Sequence, residues 1–309
     1  MPGGADTEQM AREIEQDPDY RVLRRLNVPE NYRDNDGSSL LRCAFLDVET
    51  TGLNHQVDEV IEVGLVEFTY SEDGRIFSVP RECIYSGLNE PQKPLPPEIT
   101  SLTGITPEML VGQKIDAVQL EEKVRNCGLI IAHNAAFDRK FVEKAWPFFT
   151  ERPWACSMRD IDWAAEGITE NRKLDYLGAQ FGFFFEGHRA TADCLAGIEI
   201  LSRKLPQTEE FAMSQLRRNA RKSTFRIYAT GAHFDVKDTL KNRGYTWNDG
   251  SNGKPRAWWI DVNEDKTDPE LDWLAKEIFG SPRNLPIDEI NAFNRYSDRA
   301  DLPPNIHPV

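Results

Sequence analysis

Asp47 and Glu49 stand two residues apart in the run Phe45-Leu46-Asp47-Val48-Glu49-Thr50-Thr51-Gly52-Leu53, which otherwise reads as a buried strand. Strand side chains alternate between faces, so the two carboxylates project together. Like charges side by side in apolar surroundings repel and lose hydration, at a cost of several kcal/mol unless a cation compensates. Three more residues invite the same reading. Asp138 opens a helix just after the apolar run Leu129–Ala132, at the sheet edge where sites in α/β folds gather, although an acid in a first helical turn also serves the macrodipole. Asp193 shares an apolar helix face with Ala196, Gly197 and Ile200, and a carboxylate aimed along a packing face is costly without a partner. His188 follows Gly187 in a loop five residues before Asp193, from where it can approach the same cleft. His55, His133, His233 and His307 read as ordinary surface residues, with His133 the nearest of them to the site.

Four carboxylates and no sulfur make a hard-oxygen set suited to Mg²⁺ or Mn²⁺ and not to zinc or copper. Such a set can hold two divalent cations that clamp the attacking and leaving oxygens in phosphodiester cleavage. A neutral imidazole beside the attacking water can take its proton.

The elements that must position these groups are legible in outline. Leu41 to Val48 and Val60 to Tyr70 read as strands, with further strands at Arg75 to Pro80 and Arg81 to Ser86. Short helices follow at Pro97 to Leu102 and Gln119 to Asn126, then the strand Leu129 to Ala132 and a helix through Ala145. Trp154 to Met158 suits a strand, and Leu174 to Phe181 and Thr191 to Lys204 suit helices. The expected fold class is α/β, a mixed five-stranded sheet flanked by helices, with a small C-terminal α+β module.

The organisation expected is an N-terminal extension over 1–40, partly ordered, the main domain over 41–205, a basic helical linker over 206–224, a Trp- and Lys-rich module over 225–263, and a helix and tail over 264–309. A net charge of −14 over 309 residues argues against a protein that coats nucleic acid. Between Arg203 and Arg243, however, ten Lys and Arg face four Asp and Glu, which suits either a polyanion contact or a solvated helix face. Five scattered cysteines without a CxxC pair fit a reducing cytoplasm. No segment approaches the ~18 apolar residues of a membrane span, and the polar N-terminus lacks an apolar signal-peptide centre.

Phe45 to Leu53, then Ala132-His133-Asn134-Ala135-Ala136-Phe137-Asp138, then His188-Arg189-Ala190-Thr191-Ala192-Asp193, resemble in order and separation the three motifs of the DEDDh 3′–5′ exonucleases. This is the family of the proofreading subunit of bacterial replicative polymerases and of RNase T. Ile99 to Thr106 resembles the segment the family carries between its first two motifs. The resemblance implies an RNase-H-like core in which Asp47, Glu49, Asp138 and Asp193 bind two divalent cations and His188 is the general base. It further implies that Thr50, Gly52 and Leu53 pack against the 3′-terminal nucleotide, with Asn134 and Phe137 lining the cleft. Hydrolysis at the 3′ end of single-stranded or frayed DNA, releasing nucleoside 5′-monophosphates in proofreading or repair, is the activity expected. An RNA 3′-end trimmer and a polymerase-associated binding subunit are the rival readings; a polymerase or repair complex is an expected partner, a membrane is not, and the oligomeric state is left open.

Residues Phe234 to Trp247 with Trp258-Trp259 resemble a short F-x-x-K-D-x-L-K-x-x-G-x-x-W module appended to various nucleic-acid enzymes. Its aromatics and Lys237, Lys241 and Arg243 suit base stacking and phosphate neutralisation. The same aromatics also suit a small hydrophobic core.

Overall fold

A computed structural model describes residues 4–301. Its centre is a mixed sheet built from β1 (Leu40–Thr50), β2 (Val60–Ser71), β3 (Ile76–Ser78), β4 (Ile84–Leu88), β5 (Ile130–Ala132) and β6 (Trp154–Cys156). The order is β3-β2-β1-β5-β6, with β4 also paired to β2. The sheet therefore has six strands where five were expected, with the stretches read at Arg75–Pro80 and Arg81–Ser86 each supplying one that pairs with β2. β1, β5 and β6 run parallel and the hairpin strands antiparallel. The three parallel strands thus end on one edge of the sheet.

Alternation along β1 sends Cys43 and Phe45 to one face and Ala44, Leu46 and Val48 to the other. On the first face lies helix α2 (Ala190–Ser202), and on the second helix α1 (Ala135–Ala145). Asp47 and Glu49 continue the odd-numbered series, so they belong to the face that α2 covers.

The basic stretch expected as a linker is instead part of this core. Helix α3 (Ala212–Ala220) buries Met213, Leu216 and Ala220 in the same apolar cluster as Phe45, while its arginines stay at the rim. The N-terminal segment is also docked: Arg24–Arg25 pairs in parallel with Phe183–Phe184, and Leu26, Val28 and Tyr32 pack against the core.

A second sheet follows, with strands β7 (Thr224–Ala229), β8 (Thr246–Asn248), β9 (Ala257–Asn263) and β10 (Ile287–Ile290) in the order β8-β9-β7-β10. Its fourth strand comes from the stretch read as a tail. The preceding helical segment Glu264–Phe279 places Leu274 in one apolar cluster with Ile227, Leu240 and Tyr245. Sheet and helix need each other to bury an apolar face. No helix among the described residues is long and apolar enough to cross a membrane.

Candidate active site

Asp47 and Glu49 sit on adjacent odd positions of β1, across from Gly64 and Glu62 of β2. At Gly64 the missing side chain is what allows α2 to come close, since a Cβ there would stand 2.5 Å from the Ala190 carbonyl carbon. The N-terminus of α2 can therefore lie directly over the strand, which brings Asp193 to the pair. Carboxylate oxygens of Asp47, Glu49 and Asp193 all lie within 4.8 Å of one another.

Asp138 arrives from the opposite layer. β5 pairs with β1 only at Ala44 and Phe45, so the N–H of Val48 lies past the end of that pairing. The Asp138 carboxylate accepts it at 3.2 Å. Asp138 is nearly inaccessible, 3% exposed, and its charge still reaches Asp47.

His188 adopts a left-handed backbone, φ 64°, and its ring is exposed at the rim of the cluster. Its charge counters the rise in the Asp193 pKa. The N–H of Arg189 donates to Asp193 at 3.2 Å, so the loop and the helix are tied together at the acid.

The electrostatics follow from crowding. Burial pushes the Asp47 carboxyl well above the ordinary carboxylate range, and Asp138, Asp193, Glu49 and Glu62 push it further. Glu49 is raised to about 8, by burial first and then by Asp193, Glu62 and Asp138. Burial raises Asp138 to about 7 against its backbone N–H donors. Asp193 rises to about 6, again chiefly by burial. Four such acids ionise together near neutral pH only when positive charge is supplied, and all-oxygen donors suit a hard divalent cation.

The remaining expected site residues divide. Thr50 is buried and donates its hydroxyl to the Gly52 carbonyl at 2.6 Å, which shapes the turn after β1. Gly52 packs against the Asp58 carboxylate, leaving no room for a Cβ. Leu53 is 86% exposed, an apolar side chain presented to solvent beside the acids. Asn134 is exposed at the start of α1 and makes no capping bond with its side chain. Phe137 is partly buried against Phe141, ring centroids 4.8 Å apart, so it packs on the core.

On the short helix Lys237–Asn242 beside the second sheet, Lys241 is exposed and Lys237 sits 4.3 Å above the Phe234 ring. Arg243 has a different use from the one expected. It forms a bidentate pair with Glu270, 2.8 Å at its closest, and stacks 3.9 Å over Trp273. Its guanidinium braces the module from the surface.

Two groups escaped sequence reasoning. Glu62, 1% exposed, accepts from the Arg189 guanidinium at 2.8 Å and from the Ala190 N–H at 3.0 Å. An acid inside Val60-Ile61-Glu62-Val63-Gly64-Leu65-Val66 is the same oddity that marked Asp47, and could have flagged it. His133, read as a surface residue, is half-buried: its ring contacts the Ser157 hydroxyl at 2.9 Å and the Arg172 carbonyl at 2.7 Å, and burial lowers its pKa to about 4. His55 contacts Asp298 at 2.6 Å and His233 contacts Asp235 at 3.0 Å, while His307 lies outside the described residues.

The family model described as Exonuclease, of the RNase T type, matches residues 44–201, which contain every residue of the acid cluster and His188. Among curated relatives, the PolC-type DNA polymerase III of Thermotoga petrophila is 29% identical over 185 residues, 55% of this chain and 12% of that protein. That of Clostridium perfringens is 32% identical over 170 residues, 53% and 11% respectively. The DNA polymerase III subunit epsilon of Treponema pallidum is 27% identical over 164 residues, half of this chain and 73% of that one. The chain thus spans only a small part of the PolC-type relatives. Among solved structures, E. coli exonuclease I with an oligonucleotide aligns at a TM-score of 0.46 and 14% identity, covering 72% of this chain and 62% of that one. Exonuclease X with 5′-overhanging duplex DNA aligns at 0.39 and 23%, covering 56% and 99%.

Proposed function

The chain belongs to the DEDDh 3′–5′ exonuclease family, and from that premise we propose that it removes nucleotides from the 3′ end of single-stranded or frayed DNA. Each cycle would release one nucleoside 5′-monophosphate. The observation that carries this reading is the convergence of Asp47, Glu49 and Asp193 within 4.8 Å, with Asp138 bonded into the same strand and His188 at the rim. The preference for DNA over RNA is taken from the polymerase names of the relatives, and association with a DNA polymerase or repair complex follows as a second part of the proposal.

Asp47, Glu49, Asp138 and Asp193 would hold two Mg²⁺ or Mn²⁺ ions, because their hard oxygens and raised pKa values both favour divalent charge at this place. When bound, the ions supply Lewis-acid activation of the attacking water and neutralise charge on the scissile phosphate. His188 takes a proton from that water at a ring nitrogen. The oxygen attacks phosphorus, the bond to the 3′ oxygen of the penultimate nucleotide breaks, and that oxygen leaves with a proton from solvent. Leu53 offers an apolar surface for the terminal base, and Thr50 and Gly52 hold the turn that presents it. Arg189, anchored on Glu62, fixes the chain on the C-terminal side of His188.

The test is degradation of a 3′-labelled oligonucleotide with Mg²⁺ or Mn²⁺, in matched DNA and RNA versions. Asp47→Asn and His188→Ala should each abolish it, and wild-type rates in either variant would sink the mechanism. Faster cleavage of the RNA would move the substrate to RNA.

A further inference from the structure

A cleft of about 430 Å³ opens where α3 and the second sheet meet the main sheet, lined among others by Arg159, Arg172, Lys222 and Arg295. Arg159 lies in the turn that leaves β6, and Arg172 is tied through its carbonyl to the ring of His133, which follows β5. Both therefore stand on the edge where the parallel strands end, the edge that carries Asp138. From β1 to β6 is two strand spacings, about 10 Å, a distance that a nucleic-acid strand covers in a few nucleotides.

Most arginines of this acidic protein are paired with carboxylates, yet Arg159, Arg172 and Lys222 are exposed and have no ion-pair partner among the described residues. Two acids also line the cleft. Asp160 is occupied, buried under the Cys156 N–H and the Tyr296 hydroxyl and 3.6 Å from Arg295. The Asp162 carboxylate accepts the Ala165 N–H at 3.2 Å. Set against the exposed Asp162 carboxylate, Arg159, Arg172 and Lys222 still leave a positive surplus in a concave place, which raises its potential for an anion. Lys222 comes from the segment joining α3 to β7, and Arg295 from the residues that follow β10. The segments beyond residue 205 thus complete a surface that the family match alone does not contain.

We propose that this cleft is a second nucleic-acid site, holding the sugar-phosphate backbone of the substrate strand a few nucleotides upstream of the 3′ end. The proposal deepens the exonuclease reading and rests on it. Contacts to phosphates carry no sequence information, so the cleft sets affinity and the length of strand engaged, and the acid cluster sets the chemistry. It also reconciles a net charge of −14 with a polyanionic substrate, since attraction is confined to one groove.

The experiment reads binding instead of cleavage. Labelled single-stranded DNA of about 12 nucleotides is titrated with the full chain in EDTA, and the salt dependence of the affinity is recorded. Each lost phosphate contact lowers the slope of log K against log salt by ~0.7. For Arg159→Ala, Arg172→Ala and Lys222→Ala combined, the slope should fall by about 2 and the affinity at ~0.1 M salt on the order of 100-fold. Arg159→Lys with Arg172→Lys should retain binding, which separates charge from misfolding, and hydrolysis of a dinucleotide, too short to reach the cleft, should survive the alanine changes. An unchanged slope and affinity in the triple alanine variant would overturn the cleft while leaving the exonuclease reading intact. Failure of the chain to hydrolyse any oligonucleotide would overturn that reading without touching the binding result.

Discussion

The guanidinium of Arg189 closes on the buried carboxylate of Glu62 at 2.8 Å, and the Ala190 N–H joins them at 3.0 Å. One acid of β2 thus holds both the residue after His188 and the first turn of the helix that carries Asp193. Arg189→Ala leaves Glu62 buried without a counter-charge. With the Arg189 side chain 43% exposed, a loss of roughly 1–3 kcal/mol by denaturant unfolding is expected, below the range for a fully buried pair. Exonuclease rate should fall with it, and Arg189→Lys should recover part of each.

Glu62→Gln tests the charge alone. Glu62 raises the pKa of both Asp47 and Glu49, so its neutralisation lets them ionise at lower pH. The acid limb of the pH–rate profile should move to lower pH in the variant. A limb that stays in place would separate Glu62 from the electrostatics of the site.

Gly64→Ala should damage the site from a distance. The added methyl would meet the Ala190 carbonyl carbon at 2.5 Å and the Thr191 nitrogen at 2.6 Å, both backbone atoms. The helix must lift from β2, which carries Asp193 away from Asp47. Overpacking of this kind costs about 1–3 kcal/mol. Calorimetry should show the lowered Tm, and divalent-cation titration should show a weakened site.

Metal removal has a sign that depends on pH. Carboxyls with folded-state pKa values above their unfolded ones bind protons more tightly when folded, so their contribution to stability is fully present below about pH 4 and is lost as pH rises toward 8. Bound divalent cations offset that loss. The Tm difference between Mg²⁺ and EDTA should therefore widen from pH 5 to pH 8. Asp47→Asn, which removes one of the repelling charges, should raise the Tm in EDTA near neutral pH while abolishing cleavage.

Arg139 ties the residues after β10 to α1. It is fully buried, pairs with Glu143 at 2.7 Å, and donates to the carbonyls of Ala292, Phe293 and Arg295. Its neighbour in sequence is Asp138. Arg139→Ala should cost about 1–3 kcal/mol in unfolding free energy, since it takes a donor from the Arg295 carbonyl and leaves the buried Glu143 carboxylate to Arg299 and Ser297 alone. The metal site should weaken too, although residues 291–295 are far from it in sequence.

The sequence by itself determined the exonuclease family and the strand that carries the first two acids. The spacing of Asp47 and Glu49 fixes their common face because strand periodicity is local, and the apolar runs around Asp138 and Asp193 mark acids that need a partner. What lay beyond local periodicity was decided by the tertiary structure. Glu62 gains its meaning only from Arg189, which stands 127 residues away. Gly64 matters only because α2 lands on it. Arg243 looked available for nucleic acid until Glu270 and Trp273 engaged its guanidinium, and His133 looked like an ordinary surface residue until Ser157 and Arg172 met its two ring nitrogens. Residues 212–220 read as part of a linker because they sit in a locally basic stretch, while Met213, Leu216 and Ala220 form a stripe whose burial depends on a core assembled from distant strands. Local pattern sets which face a side chain takes. Which partner meets that face depends on loop closures that no short window of sequence contains.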